Sequence, residues 1–401
     1  MGAALPAAAS AHDLQRVKSV EEGIAAFIHE FQALRRDLHQ HPELSFQEHR
    51  TSAIVAERLA SWGYEVATGI AGTGLVGTLR KGQGTKTLGI RADMDALPIT
   101  EATGLPYASQ NAGVMHACGH DGHTTVLLAA ARFLAESGRF DGTLNLIFQP
   151  AEENGGGAHR MIGEGLFERF PCDAVFGLHN WPCVGEGHFG CVTGPAMASV
   201  DQITITVRGK GGHGAAPHET VDPVVASAHI ITALQTVVSR NVDPLDMGVV
   251  TVGSIHGGNA PNVVPESVEL KLTARAFKPE VREVLKERIP AIARAQAESF
   301  GATADVLYRP GYPAVLNHEA ETELARSVAL DTFGAARVEA GFRPRTASED
   351  FAFMLLKRPG SYVFVGNGDG ASLHSPYYDF NDAILAPSAT YWVRLAERFL
   401  A

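Results

Sequence analysis

At 401 residues the chain is too long for one ordinary hydrophobic core, which points to two domains. Its 45% hydrophobic and 19% charged fractions are those of a globular protein, and a net charge of −11 gives no electrostatic reason to expect nucleic acid or an anionic membrane as partner. No apolar run reaches the ~20 residues a membrane helix needs, so no membrane span is expected.

The N-terminal MGAALPAAASAHDL lacks a basic start and a long apolar stretch, and reads as a frayed tail rather than a signal peptide. Cys118, Cys172, Cys183 and Cys191 are irregularly spaced in a large chain, which argues against a disulfide framework and for a reducing, cytoplasmic setting. Residues 21–38 and 51–62 read as amphipathic helices, 74–79 and 88–92 as short strands, and 124–136 as an apolar, buried helix. Apolar runs at 144–148 and 174–178, bounded by turn residues, suit buried parallel strands. Strands alternating with helices predict an α/β unit with a mainly parallel sheet.

The pattern changes after Pro195. DQITITVRGK alternates like a half-exposed strand, 220–240 reads as a long helix, MGVVTVGSI and SVELKLTARAF as two more strands, 279–300 as a second helix and TADVLYRPGY as a last strand. The order β-α-β-β-α-β is that of a ferredoxin-like sandwich. A helix at 319–333 and an apolar strand at 362–365 then resume the first pattern. The expectation is a catalytic domain at 1–195 plus 313–401, with an inserted lid at 196–312.

Four segments carry metal-binding chemistry. His116-Ala117-Cys118-Gly119-His120-Asp121-Gly122-His123 packs three imidazoles, a thiol and a carboxylate into eight residues just before an apolar helix. A helix N-terminus there is expected to lower the thiol pKa and favour thiolate, the ligating form. Gln149-Pro150-Ala151-Glu152-Glu153 follows a strand at the sheet edge where ligands bind in open α/β folds. Of its two carboxylates, one can hold metal while the other takes a proton from water. Gly177-Leu178-His179-Asn180 and Ser372-Leu373-His374-Ser375-Pro376 each place a histidine beyond a buried strand. Asp93 and Asp95, at another strand end, could orient a ligand histidine. In the lid, the Gly-rich loops 211–218 and 258–266 carry His213 and Asn262, and Arg275 closes a strand; all are donors suited to a substrate carbonyl or carboxylate. Taken singly, each of these residues also has an ordinary structural explanation; their convergence on one sheet edge is what points to a metal site.

Together HACGHDGH, QPAEE, GLHNWP, GGHGAAPH and LHSP resemble the aminoacylase and carboxypeptidase type of co-catalytic metallopeptidase. The resemblance is to its amidohydrolase branch of hippurate hydrolases, N-acyl-amino-acid amidohydrolases and plant hydrolases of auxin conjugates, and runs from about Ile24 to the C-terminus. It implies a pair of divalent ions held by Cys118, His120, Glu153, His179 and His374. It also implies Glu152 as general base, Asp95 as the carboxylate orienting a ligand histidine, and His213, Asn262 and Arg275 as substrate contacts. The cysteine stands where the wider family often has a bridging aspartate, leaving manganese, zinc, cobalt and nickel open. A small-molecule N-acyl amino acid is the implied substrate, and a homodimer or homotetramer through the lid the implied assembly, with the lid histidine presented to the partner's site. Rival readings are another amide (N-acetyl-diaminopimelate, an auxin conjugate or a dipeptide), a silent metal-binding module, and a Cys118-dependent acyltransferase.

Overall fold

The apolar runs read as buried strands do form the centre of a sheet. The computed structural model describes residues 19–153 and 155–401, so the expectation for the N-terminal tail lies outside the described residues. Seven strands stand side by side in the order Glu65–Ile70, Gly74–Lys81, Gly142–Gln149, Thr87–Asp93, Ala174–Pro182, Gly360–Gly368 and Phe189–Cys191. The four from Gly142–Gln149 to Gly360–Gly368 run parallel; the strands outside them are antiparallel. Their near-complete burial matches sequences apolar on both faces. The sheet is therefore mixed, with a parallel middle.

The helix His120–Glu136 begins four residues earlier than its apolar run at 124. The segment expected as one helix over 21–38 is two, Val20–Ala25 and Ile28–Gln40, parted at Ala26–Phe27. The short first helix, closed by a reciprocal Ser19–Glu22 capping box, lies against the C-terminal helix Leu385–Phe399, whereas the second lies against His120–Glu136.

From Gly194–Met197 the chain passes to a second sheet and returns through Val315–Asn317, which pairs antiparallel with Gly194–Met197. The second sheet orders Gly248–His256, Ser267–Ala276, Asp201–Arg208 and Thr303–Pro310, every neighbour antiparallel. Helices Pro223–Asn241 and Pro279–Ser299 cover it, and Ile203, Ile205 and Val207, alternate residues of one strand, enter a separate apolar cluster with them. The first of these helices starts at Pro223 rather than 220, because Asp222 caps it by accepting from Val224 N at 2.8 Å and proline suits the first turn. No described helix is long and apolar enough to cross a membrane.

Candidate metal centre

The parallel strands all end on one side, and there the side chains converge. Thr87–Asp93 delivers Asp93 and, two residues on, Asp95; the turn after Gly142–Gln149 delivers Glu152 and Glu153; Ala174–Pro182 carries His179. Gly119, at φ 94°, turns the chain so that Cys118 precedes the helix and His120 opens it. His374, itself in the left-handed region at φ 64°, is tied to the cysteine loop by its backbone N–H, which donates to the Ala117 carbonyl at 2.8 Å.

Cys118 Sγ lies 3.4 Å from His179 Nε2. Glu153 Oε1 lies 3.2 Å from His374 Nε2 and 3.9 Å from His120 Nε2. Cys118, His120 and His179 bring ligand atoms within 4.8 Å of one another, and so do Cys118, Glu153 and His374. The five expected ligands are thus one cluster. Asp95 accepts from His120 Nδ1 at 3.2 Å and from the backbone N–H groups of Glu152 and Glu153 at 3.0 and 3.1 Å, fixing both the ring and the glutamate turn. His179 Nδ1–H donates to the Asn180 carbonyl at 2.6 Å, which leaves Nε2 with its lone pair towards Cys118.

Residues not singled out from the sequence complete the surroundings. Arg91, wholly buried, donates to Gln149, Asp93, Glu349 and Asp350 at 2.8, 2.6, 2.8 and 3.2 Å. The Asp350 N–H reaches Glu152 Oε1 at 3.4 Å. Tyr312 donates its hydroxyl to the Glu152 carbonyl at 2.7 Å and accepts from Gly156 N–H at 3.0 Å, holding the glutamate turn from a residue just beyond the second sheet. An acidic pair, Glu349-Asp350, just ahead of an apolar segment is the one sequence signal that could have marked this wall.

The three residues expected to contact substrate behave differently. His213 and Asn262 are exposed and lie on a small ribbon pairing Gly212–His213 with Val263–Val264, where Gly214 N–H donates to the Asn262 carbonyl at 2.8 Å. The described contacts do not bring them to the cluster. Arg275 is half-buried and donates to the Thr346 carbonyl at 2.9 Å, crossing from the second sheet to a loop of the first.

Residues 89–398 match Peptidase family M20/M25/M40. The chain belongs to that family. It is 44% identical over 371 residues to the hippurate hydrolase of Campylobacter jejuni, covering 92% of this chain and 97% of the relative. It is 40% identical to an N-acetyl-L-cysteine deacetylase of Bacillus subtilis, covering 92% and 87%. Among solved structures, the Bacillus subtilis YXEP protein, described as a dinuclear metal binding peptidase, superposes with a TM-score of 0.82 at 33% identity, covering 94% of this chain and 99% of that one. The chain is accordingly an amidohydrolase of the M20/M25/M40 family.

The residues fit the metal pair that this family membership implies. His120 Nε2 and Glu153 Oε1 are buried, face each other and have no hydrogen-bond partner among the described residues. Burial alone would lower the His120 pKa, but Asp93, Asp95 and Glu153 outweigh it and push the ring up to about 10, so the pocket's field favours positive charge at this position. His179 is held well below the usual histidine range by burial and by His123, and stays a neutral donor. The expectation for Cys118 is corrected. Burial, followed by Glu153 and Glu152, raises its pKa well above the ordinary thiol value, and these terms exceed any gain from the helix N-terminus beside it. Thiolate here requires a bound cation.

Behind the cluster, His39 Nδ1 lies 2.9 Å from Asp121 and its Nε2 lies 3.4 Å from Glu101, with Arg35 3.7 Å from Asp121. Burial would lower the His39 pKa, yet Asp121 and Glu101 hold it up at about 9. A group raised above its unfolded value of ~6.5 contributes stability that is complete below that pH and lost as pH climbs through the folded value. The stability advantage of the wild type over His39→Gln should therefore shrink between pH 6.5 and about 9. Denaturant midpoints of the two proteins across that range check it; a constant difference would remove the charged His39 from the argument.

Proposed function

We propose that the chain hydrolyses the amide bond of N-acyl amino acids, hippurate-like benzoyl or acetyl derivatives among them, to a carboxylic acid and a free amino acid. The observation that carries this reading is the junction of five metal-ligand side chains with a second, adjacent buried carboxylate, Glu152, that is not needed to complete the ligand set. Similarity to a hippurate hydrolase over nearly the whole chain supports the same substrate class.

Cys118, His120, Glu153, His179 and His374 would hold the metal pair. Thiol and imidazole donors favour borderline ions such as zinc, cobalt or nickel over manganese. When bound, the pair supplies an acidified water and polarisation of the scissile carbonyl. Glu152 accepts a proton from the attacking water and delivers it to the leaving amine nitrogen. Asp95 orients His120 and the Glu152–Glu153 turn, and Arg275 and Asn262 serve the amino-acid half of the substrate.

The division of the chain into a catalytic domain at 1–195 plus 313–401 and a ferredoxin-like lid at 196–312 is part of the same proposal. It is supported by the separate apolar cluster of the second sheet and by the paired crossover strands. The exposure of His213 suits its presentation to the site of a partner subunit in a homodimer or homotetramer, in a cytoplasmic setting.

Chelation should abolish release of benzoate from hippurate, and added divalent ions should restore it. Cys118 should resist alkylation while metal is bound and react after its removal only in alkaline buffer, because burial and then Glu153 and Glu152 keep the metal-free thiol protonated near neutral pH. Full turnover in a verified metal-free sample would sink the metal mechanism and return Cys118 to consideration as a nucleophile.

A further inference from the structure

Two guanidinium groups, Arg345 beside the strand that carries His179 and Arg275 bonded to the residue after Arg345, lack a counter-ion among the described residues. Arg345 forms no ion pair among the described residues, and its buried Nε has no hydrogen-bond partner. Arg275 likewise makes no ion pair among them and spends one N–H on the carbonyl of Thr346, the residue after Arg345. Burial lowers the pKa of both, with no carboxylate to offset it. A partly desolvated cation without an anion is costly, and a site that must bind an anion is one reason to keep it so.

The position is specific. His179 and Trp181 alternate along one strand and so project from the same face, their rings 5.8 Å apart. Arg345 stacks 5.0 Å over Trp181 and 4.6 Å over Phe342, which fixes the plane of its fork. Its backbone is pinned on both sides, with Arg345 N–H donating to Ala196 O at 2.9 Å and Ala198 N–H donating to Arg345 O at 3.1 Å. The neighbouring Ser199 N–H donates to Ala276 O at 2.8 Å, which carries the same seam to the strand end that bears Arg275.

We infer that Arg345, beside the Arg275 already assigned to the amino-acid half, binds the free carboxylate of the substrate as a fork set on the Trp181 ring. The inference rests on the proposed N-acyl amino acid chemistry and names a second residue that selects for it. Stacking over aromatic rings alone would account for the packing of Arg345 but not for its lack of an acid.

The test compares N-benzoylglycine with N-benzoylglycinamide, following benzoate release by wild type, Arg345→Met and Arg345→Lys. Methionine keeps the apolar stem over Trp181; lysine keeps the charge but not the fork. Wild type is expected to prefer the acid. Arg345→Met should lose at least about tenfold more kcat/KM on the acid than on the amide, most of it in KM, and Arg345→Lys should recover part of that difference. Should Arg345→Met fold poorly, the acid-to-amide ratio of Arg345→Lys decides alone, since a ratio unchanged from wild type overturns the inference. Equal losses on both substrates by Arg345→Met also overturn it while leaving the substrate class intact. A wild type that shows no preference for the acid overturns the substrate class itself, and the inference with it.

Discussion

Glu152→Gln should lower kcat by at least about a hundredfold while metal content stays at the wild-type level, the usual scale for loss of a general base. Glu152 is 6% exposed, and burial, then the charges of Glu349, Glu153 and Asp350, raise its pKa well above the usual carboxylate range. The positive charge of a bound metal pair would oppose this shift and leave Glu152 ionised to take a proton from water, and glutamine fills the same space without that capacity. Its neighbour differs in kind. Glu153 turns an oxygen towards His120 and His374, so Glu153→Gln should release metal as well as activity. Elemental analysis beside turnover separates the two residues. Equal metal loss in both variants would mean that the division of labour within the pair is wrong.

Arg91→Met should cost roughly 3–5 kcal/mol of stability, the range for removing one partner from a buried ionic network. Arg91 is 2% exposed and joins Asp93 from its own strand to Glu349 and Asp350 from a distant segment, with Gln149 bridging to Asp350 at 2.7 Å. Methionine has a similar stem, so the main loss is charge rather than volume. Without the guanidinium, those buried carboxylates face one another and must be protonated or pushed apart. The denaturant midpoint measures the effect; a loss below about 1 kcal/mol would show that the carboxylates are already neutralised by other means. Because Asp93 also accepts from His123 at 2.6 Å and lies 3.8 Å from His120, the variant should disturb the metal centre too.

The sheet centre was legible because strands buried on both faces must be apolar throughout, as at 144–148 and 174–178. The candidate cluster was legible as dense His, Cys and Glu segments, with Glu152 and Glu153 just past a buried strand, His179 within one, and Cys118 and His120 at a helix start. Other parts were hidden for identifiable reasons. The edge strand Glu65–Ile70 is half exposed and carries no apolar run. The helix Leu385–Phe399 has Pro387 in its first turn, where proline is harmless but reads as a breaker. Arg91 and Glu349 are 258 positions apart, and only the folded chain declares them partners. The thiol of Cys118 was read from its place at a helix start, while its pKa is raised by burial first and then by glutamates from another strand end.

The strand Gly360–Gly368 lies between Ala174–Pro182 and Phe189–Cys191, segments made long before it on the ribosome. Until residues 360–368 have been synthesised, Phe189–Cys191 lacks this pairing partner and Ala174–Pro182 is paired on one side only, by Thr87–Asp93. His374, a few residues further on, is the last of the clustered side chains to arrive. A nascent or C-terminally truncated chain therefore exposes an unfinished sheet edge, prone to wrong pairing, and offers no complete metal site.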